Sequence, residues 1–333
     1  MYLGFHFVEK PAAPQSGEAG FFSIRLAAYL QGSVEMDEFK PLEIDHKEIF
    51  DRFFLQDPPQ TSELTFTNLF MWRIRYRPLW RVWRDCLLVI MQQRGQEPFA
   101  LPPVGGGDKG AALAVLSVEL GKRSSEPRIG RVSEDFLDRF VDVDQYQAAE
   151  DPDNSDYVYL AQELIDLPGN RFHGKKNHLN RFIKNYQFEY RALDSELVKS
   201  VLQMQEDWCE LRDCGDYPDL IAEDRAVYEA LIHFDELRFA GGVIFIDSKV
   251  EAFSLGELLN PDTAVIHIEK ANPDIPGLYA AINQQFCAAK WSGVQYVNRE
   301  QDLGVKGLRK AKRSYHPHHM VKKFILTPRD RVS

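Results

Sequence analysis

Hydrophobic residues in the first half of the chain recur at spacings that predict alternating helices and strands. Residues 44–55 place apolar side chains near helical spacing, and residues 109–120 repeat that pattern. Between them, residues 80–92 are rich in Trp, Val, Leu and Ile on both sides of Arg84-Asp85, which predicts two strands joined by a turn. A last apolar group at residues 136–140 closes this half.

The second half shows a clearer order of elements. Residues 156–160 predict a short strand, and residues 172–186 predict an amphipathic helix whose apolar side chains, from Leu179 through Phe182 and Ile183 to Tyr186, follow helical spacing. The remaining segments predict two helices (193–212, 221–234), a three-stranded meander (241–247, 250–259, 263–270), a helix (278–291), a strand (294–298), a helix (305–313) and a strand (320–327). This order predicts an α/β protein with a mixed sheet.

The length of 333 residues exceeds the roughly 250–300 residues at which a single core stops growing, so two domains are expected. The first residues lack a lasting period and contain Pro11 and Pro14, and Met36 is a candidate start. The Asp-Pro-Asp-Asn-Ser tract at 151–155 predicts a linker. We expect a poorly ordered leader over residues 1–36, a first domain over 37–150, a connecting strand and basic helix over 151–190, and a second domain over 191–333 that carries the site.

Composition excludes several classes of protein. With 44% hydrophobic and 27% charged residues, the chain is neither wholly disordered nor collagen-like. It contains no run of 18 apolar residues, so no membrane span is expected. Cys86, Cys209, Cys214 and Cys287 are too few and too scattered for a disulfide framework. We expect small buried side chains in a reduced, cytoplasmic protein.

The net charge of −10 hides a strong segregation of charge along the chain. Residues 133–156 hold nine acidic residues against one cation, whereas residues 171–184 hold five cations and no acid. Residues 306–323 add seven cations without a carboxylate. The second segment coincides with the amphipathic helix, so we predict a helix with a cationic face.

Polar residues at predicted strand ends are the first candidates for chemistry. The loop from Asn272 to Gly277 precedes a helix whose first amides would be free, so it is a possible anion site or an ordinary connection. Glu269, at a strand end, can accept a proton from an attacking amine or hydroxyl, or form a surface ion pair. The polar run 298–302, which includes Glu300, indicates the edge of a cleft.

The basic C-terminal segment offers a second set of candidates. A lysine such as Lys312 can hold an anion or stabilise an oxyanion, or it can complement a helix dipole. His316, His318 and His319 lack carboxylates or cysteines at ligand spacing, so no metal is expected. No nucleophile elbow and no HExxH zinc motif occurs.

Long motifs give the chain a resemblance to a known family. The motifs are Tyr157-Val-Tyr-Leu, Leu167-Pro-Gly, His173-Gly-Lys-Lys-Asn-His-Leu-Asn-Arg-Phe, His267-Ile-Glu-Lys-Ala, Asn298-Arg-Glu-Gln-Asp-Leu-Gly and Gly307-Leu-Arg-Lys-Ala-Lys-Arg-Ser-Tyr, with Ser62-Glu-Leu-Thr-Phe-Thr-Asn in the first half. They resemble a bacterial family of uncharacterised proteins grouped with the C-terminal domain of phosphatidylglycerol lysyltransferases. The resemblance extends over about residues 39–323.

This resemblance implies a fold and a site. It implies two tandem GNAT-like acyltransferase domains, each with a mixed, mostly antiparallel sheet flanked by helices. It also implies that the positively charged helix helps bind aminoacyl-tRNA and that Lys312, displaced by two residues from the relatives' motif, is catalytic. Glu269 falls near an aspartate of the relatives, whose membrane-embedded part has no counterpart here. The residues implied for tRNA binding are Lys175, Lys176, Arg181 and Lys184.

Three hypotheses of function follow. The first is an aminoacyl-tRNA-dependent transferase without a further cofactor, acting on a small-molecule, peptide or lipid-headgroup acceptor, with Lys312, Glu269 and Glu300 as catalytic residues. The residues expected to bind the donor or an anion are Asn272, Gly277, Asn298, Arg299, Arg309 and Tyr315. The second hypothesis is an acetyl-CoA-dependent N-acetyltransferase, although the loop lacks the usual glycine pattern. The third is a non-catalytic RNA-binding protein.

Overall fold

The computed structural model describes residues 38–329, so the predicted leader and Met36 lie outside the described residues. Within this range the strands form two sheets. None of the helices there combines the length and the apolar character that a bilayer span requires. Both sheets belong to one compact unit of the described residues.

The first half alternates short strands and helices. Its strands are β1 (Lys40–Pro41), β2 (Leu79–Trp83), β3 (Cys86–Met91), β4 (Phe99–Ala100), β5 (Val104–Gly105), β6 (Ile129–Ser133) and β7 (Tyr146–Glu150). Its helices are α1 (Lys47–Gln56), α2 (Phe66–Met71), α3 (Arg73–Tyr76), α4 (Lys109–Gly121) and α5 (Glu134–Phe140).

The second half contains longer strands. They are β8 (Asp156–Leu160), β9 (Phe188–Ala192), β10 (Ala240–Ile246), β11 (Lys249–Asn260), β12 (Thr263–Ala271), β13 (Tyr296–Asn298), β14 (His319–Val321) and β15 (Lys323–Pro328). The helices are α6 (Ala161–Asp166), α7 (His173–Asn185), α8 (Val198–Leu211), α9 (Pro218–Ile232), α10 (Phe234–Leu237), α11 (Leu278–Lys290) and α12 (Lys306–Arg313).

The two sheets are both mixed and mostly antiparallel. The first has the order β1-β2-β3-β4-β6-β15-β7 with β5 beside β3, and the second has the order β14-β8-β13-β12-β11-β10-β9. One pair in each sheet is parallel, β4 with β6 and β12 with β13. One face of the second sheet buries Leu164, Phe182 and Phe286 of α6, α7 and α11. These sheets, flanked by helices, confirm the predicted fold class.

Two tight turns explain why the predicted hairpins form. Arg84 and Asp85 both have positive φ (43° and 58°), and they connect β2 to β3. Asp247 and Ser248 repeat this arrangement (49° and 66°) between β10 and β11. Two-residue turns of this kind match the right-handed twist of antiparallel strands. The predicted strands on either side of both turns are confirmed.

The predicted last strand is wrong as a single element. Residues 319–321 form β14 in the second sheet, whereas residues 323–328 form β15 in the first sheet. Lys323 marks the crossing, because its fully buried ammonium lies 2.6 Å from carboxylate oxygens of Asp156 and Glu63. The last two strands thus belong to different sheets, and the limits expected for the second domain, 191–333, stay a prediction.

As expected, Cys86 and Cys287 are free and buried, and Cys214 is buried too. Cys209 and Cys214 form a disulfide, with their Cα atoms 5.0 Å apart. The chain can turn back this sharply because α8 ends at Leu211 and Asp213 takes a left-handed conformation (φ 50°).

Candidate functional site

Strands β12 and β13 pair for only a short distance before they separate. Their parallel register extends from Thr263–Tyr296 to Val265–Asn298, whereas β12 continues to Ala271. Polar side chains that follow Val265 on β12 and Asn298 on β13, the last paired residues of the two strands, can therefore meet beyond the end of β13. Glu269 on β12 and Arg299 after β13 are such residues.

A bulge in β12 determines which way Glu269 faces. Ile268 pairs with Leu255 and Ile266 pairs with Gly256, so His267 is the extra residue. An extra residue reverses the alternation of side chains along a strand. As a result Glu269 faces α11, where Asn283 donates a hydrogen bond to it.

Glu269, Arg299 and Asn283 form the centre of the candidate site. Glu269 Oε1 accepts a hydrogen bond from Arg299 Nη2 at 2.8 Å, and Oε2 accepts one from Asn283 Nδ2 at 2.9 Å. Each partner keeps one buried polar atom without a hydrogen bond among the described residues, Nη1 of Arg299 and Oδ1 of Asn283. Unpaired buried polar atoms are costly, so an unpaired donor and an unpaired acceptor on the two partners of one carboxylate indicate a ligand site.

Aromatic rings and a lysine from α7 enclose this centre. The Arg299 guanidinium lies 4.7 Å from the centroid of the Tyr315 ring, and Lys175 Nζ lies 4.1 Å from the same ring. Burial, together with the positive charge of Arg299, lowers the pKa of Lys175 to about 8. Tyr159 meets Tyr315 edge to face at 6.4 Å. The predicted residues Lys175, Arg299 and Tyr315 are thus brought together.

Lys312 reaches the same centre from α12, but its ammonium contacts the backbone. Its Nζ donates to the carbonyl oxygens of Arg299 and Glu300, the second at 3.2 Å. The Tyr159 hydroxyl donates to the Lys312 carbonyl at 2.8 Å. Burial lowers the pKa of the Lys312 ammonium to about 8. The structure therefore places Lys312 where it holds the chain that carries Arg299.

The side chain of Glu300 engages a different set of groups. Glu300 is in the left-handed region (φ 58°), and its carboxylate lies 2.8 Å from His267 Nδ1 and 3.1 Å from Asn68 Nδ2. His267 Nε2 lies 3.0 Å from the Glu257 carboxylate. Burial would lower the pKa of His267, but hydrogen bonds to Glu257 and Glu300 outweigh it and raise the pKa to about 9. A protonated His267 thus donates to two carboxylates.

Glu257 also lines a cavity of about 710 Å³ between α1 and the β11–β12 turn. The walls of this cavity contain none of the predicted site residues. The network of Glu257, His267 and Glu300 therefore connects the cavity with the backbone that Lys312 holds.

The loop expected to bind an anion is closed by its own contacts. Asn272 donates to the Glu251 carboxylate at 2.8 Å, and its own Oδ1 accepts from the Asp274 amide. Gly277 has φ 90°, and a Cβ added there would lie 2.3 Å from the His178 carbonyl oxygen of α7. The structure does not bring Asn272 and Gly277 to the Arg299 centre.

Two other predicted anion-binding residues are engaged elsewhere. Asn298 donates to Asp156 at 3.0 Å and accepts from the Glu300 amide. Arg309 forms two hydrogen bonds with Asp302 and one with Asp153. The Arg309 hydrogen bonds hold the pKa of Asp302 at about 2. These contacts join chain segments rather than leaving the side chains open to a ligand.

Helix α7 presents a cationic face beside the site. The sequence buries Leu179 and Phe182 against the second sheet, whereas Ile183, predicted to share that stripe, is half exposed. Lys176, Arg181 and Lys184 are exposed, and within residues 38–329 none of these three has a carboxylate partner. Lys175 is the member of the predicted tRNA-binding set that turns into the site.

Sequence reasoning missed several residues of the site. Asn68 and His267 lie inside motifs that carry the family resemblance. The sequence therefore drew attention to both residues but gave neither of them a role. Tyr159 also lies in such a motif, Tyr157-Val-Tyr-Leu, whereas Asn283 had no signal, because a polar residue in a helix is common. Their role emerges only when α11 and β8 are packed around Arg299.

The described residues thus combine a mixed α/β fold, a buried ion pair of Arg299 with Glu269, and a neighbouring helix with an exposed cationic face. The family model described as phosphatidylglycerol lysyltransferase, C-terminal, matches residues 57–327. The protein therefore belongs to that family. At this level the predicted class of enzyme, an acyltransferase of the aminoacyltransferase type, is confirmed.

Individual relatives agree with this assignment. An uncharacterised protein of Mycoplasmoides gallisepticum is 25% identical over 182 residues, which cover 52% of this chain and 56% of that relative. The chain thus matches little more than half the length of this curated relative.

Solved structures with the same fold extend the comparison. A conserved protein of unknown function from Bacteroides thetaiotaomicron has a TM-score of 0.82 and 31% identity, over 88% of this chain and 100% of its own. The C-terminal domain of a putative lysylphosphatidylglycerol synthetase from Agrobacterium fabrum has a TM-score of 0.61 and 15% identity, over 86% and 92%. L-PGS from Bacillus licheniformis has a TM-score of 0.59 and 12% identity, over 85% and 92%. The last two show a shared fold.

Proposed function

We propose that the protein transfers an aminoacyl group from aminoacyl-tRNA to an amine or hydroxyl acceptor at the Arg299 centre. The observation that carries the proposal is the position of α7. Its exposed cations face solvent while Lys175, on the same helix, contacts the ring of Tyr315 inside the site. A single helix thus connects a surface suited to phosphates with a site suited to an ester.

The contacts of the centre suggest a role for each side chain. Nη1 of Arg299 can donate to the ester carbonyl oxygen as negative charge develops on it. Glu269 is the carboxylate beside it and can take the proton lost by the attacking acceptor. The acceptor forms the new bond to the carbonyl carbon, the bond from that carbon to the tRNA 3′ oxygen breaks, and the leaving oxygen takes up the proton that Glu269 accepted. Lys312 acts as a positioning residue for Arg299.

Other proposed functions receive less support from these contacts. The acetyl-CoA alternative needs a loop that holds pyrophosphate, and here Gly277 packs against the backbone of α7. A purely RNA-binding protein would not need a free donor and a free acceptor beside a buried ion pair. Because aminoacyl-tRNA is a cytoplasmic substrate, the proposal implies that the protein acts there, on a small-molecule, peptide or lipid-headgroup acceptor.

Removing the exposed cations of α7 should weaken tRNA binding. A variant with Lys176→Ala, Arg181→Ala and Lys184→Ala should lower the magnitude of the slope of log affinity against log salt by about 2–3, because three phosphate contacts are lost. Filter binding of bulk aminoacylated tRNA across a salt series measures this slope.

The matched control removes three exposed cations outside α7 that, within residues 38–329, also have no carboxylate partner: Arg94, Lys199 and Lys290. Its slope should stay within one unit of the wild-type slope. Equal losses in the two variants would mean general charge attraction, and no binding at low salt would reject the tRNA donor.

Arg299→Lys should remove the transfer step while leaving tRNA bound. Lysine keeps the charge but lacks the second donor that Nη1 supplies, and loss of one such donor costs about 10²–10³ in rate. The measurement is loss of radiolabelled aminoacyl ester from tRNA in excess ethanolamine, which serves as a surrogate amine acceptor.

Arg309→Lys is the matched arginine control, because Arg309 pairs with Asp302 outside the centre. Its rate should remain within threefold of the wild-type rate. A wild-type protein that binds charged tRNA without accelerating ester loss would contradict the transferase part of the proposal.

A further inference from the structure

The disulfide between Cys209 and Cys214 joins the end of α8 to the segment that leads into α9. Within residues 210–219, all of which the structure describes, Cys214 is the only buried residue. Asp219 of this segment pairs with Arg75 of α3, but the Asp219 side chain is 88% exposed, and exposed ion pairs contribute little to stability. The disulfide is therefore the main tie between this segment, the α8–α9 connection, and the rest of the fold.

The two sulfur atoms of the disulfide differ in their access to solvent. Cys209 is half-buried, whereas Cys214 is 6% exposed. The buried side chain of Gln205, one turn earlier on α8, donates a hydrogen bond from Nε2 to Cys209 Sγ at 3.7 Å. A donor at this sulfur stabilises a thiolate on Cys209 when the disulfide breaks. Cys209 can thus be attacked from solvent, and it can also leave as a stabilised thiolate.

The other two cysteines are unsuited to such an exchange. Cys86 and Cys287 are free and fully buried. Burial raises the pKa of the Cys86 thiol to about 11 and that of the Cys287 thiol to about 12, so neither forms a thiolate near neutral pH. They therefore serve as internal references for a reaction at Cys209 and Cys214.

The end of α8 adjoins the candidate site through Trp208. The Trp208 indole donates a hydrogen bond to the Tyr279 hydroxyl at 3.1 Å, and Lys270 Nζ lies 3.6 Å from the centroid of the Trp208 ring. Lys270 follows Glu269 in β12, and Tyr279 precedes Asn283 by one turn of α11. The residue next to Cys209 is therefore held against two elements that carry the candidate site.

We propose that Cys209 and Cys214 form a thiol–disulfide exchange site whose reactant is a dithiol. A thiolate of the dithiol attacks Cys209 Sγ, the Cys209–Cys214 bond breaks, and Cys214 leaves as a thiolate. The second thiol of the reactant then attacks its own sulfur in the mixed disulfide, and Cys209 leaves with the hydrogen bond from Gln205. Two electrons and two protons pass to the protein, and the oxidised reactant is released. Reduction frees the α8–α9 connection while both sheets stay folded.

Alkylation of the folded full chain tests the exchange. The protein is oxidised with diamide, half of it is then treated with dithiothreitol, and both samples are alkylated with iodoacetamide and mapped by mass spectrometry. We expect alkylation of Cys209 and Cys214 only after dithiothreitol, with Cys86 and Cys287 unmodified in both samples. Reduction of the pair only after unfolding in urea would overturn the proposal. Free thiols at Cys209 and Cys214 after diamide would overturn it as well.

Limited digestion with trypsin tests the release of the α8–α9 connection. Cleavage after Arg212, inside the segment that the disulfide closes, should be at least tenfold faster in the reduced protein than in the oxidised protein. Arg94, an exposed arginine between β3 and β4, is the matched control, and cleavage there should differ less than twofold between the two forms. Equal cleavage after Arg212 would mean that the disulfide does not hold the connection, and it would overturn the proposal.

A variant without the two cysteines separates reduction of the disulfide from other effects of dithiothreitol. Cys209→Ser/Cys214→Ser should be cleaved after Arg212 as fast as the reduced wild type, with or without dithiothreitol. Unchanged cleavage after Arg94 would show that the variant is folded. Slow cleavage after Arg212 in the folded variant, or cleavage that depends on dithiothreitol, would contradict the role of the disulfide. None of these measurements uses tRNA, so their outcome is independent of the proposed transfer reaction.

Discussion

Lys323→Met is expected to lower the free energy of unfolding by about 3–5 kcal/mol. The Lys323 ammonium is fully buried and lies 2.6 Å from oxygens of both Asp156 and Glu63. Methionine fills similar space but leaves these carboxylates without their shared cation, and removing one partner of a buried ion pair has a cost of this size. Urea unfolding of the full chain, followed by circular dichroism, measures the change.

The adjacent lysine gives a matched control for this first prediction. Lys322 pairs with Glu134 at 3.0 Å, but its side chain is 48% exposed. Exposed ion pairs contribute little to stability, so Lys322→Met should have little effect. Similar losses in both variants would mean that burial of Lys323 is not the cause.

The buried pair also explains why the last strands separate as they do. Asp156 lies on β8 of the second sheet, and Lys323 begins β15 of the first sheet. Ser62 adds its backbone amide and hydroxyl to the Asp156 carboxylate, each at 2.9 Å. The pair therefore joins the two sheets at the point where the chain passes between them.

His267→Gln is the second substitution expected to have a large effect, and that effect should depend on pH. Protonated His267 donates to Glu257 and Glu300, and Asn68 and Thr67 of α2 contact the same carboxylates. Glutamine has no charge to balance the two carboxylates. We expect a loss of about 3–5 kcal/mol at pH 6.5.

The pH dependence follows from the direction of the pKa shift. The pKa of His267 is raised in the folded protein from 6.5 to about 9, so its stabilising contribution is complete below pH 6.5. The contribution disappears as the pH rises through about 9, and it corresponds to about 3 kcal/mol. The difference between wild type and His267→Gln should therefore shrink by roughly that amount between pH 6.5 and pH 9.5.

Lys175 and Lys312 titrate in both wild type and His267→Gln. Their contributions therefore cancel when the free energies of unfolding of the two proteins are subtracted. His173→Gln, at the exposed start of α7, controls for the loss of a histidine. Its difference from wild type should stay constant over the same pH range. A constant difference for His267→Gln as well would mean that His267 is not protonated in the folded protein.

Local patterns in the sequence were sufficient for many elements. The hairpins around Arg84-Asp85 and Asp247-Ser248 were predictable because alternating strands and short turns are local features. Helix α7 was predictable from its periodicity. Residues 188–192, in contrast, form the edge strand β9 without having been predicted, because much of that strand is exposed and its apolar pattern is weak.

In the candidate site, too, local patterns identified some residues but could not show the contacts that these residues make. Glu269, Arg299, Tyr315 and Lys312 were identified because they end predicted elements or lie in family motifs. The sequence could not show that Glu300 turns toward His267, since a single backbone conformation decides it. Nor could it show that Asn272 is bound to Glu251, a residue on another strand.

The sequence by itself determined the α/β class, most of the helices and strands, the cationic helix and the polar residues of the site. These properties depend on neighbours within a few turns of chain. Only the tertiary structure decided that Glu269 faces Asn283, through the bulge at His267, and that Lys323 crosses to the first sheet. Such features depend on which distant groups can satisfy a buried charge or hydrogen bond, and no local pattern contains that information.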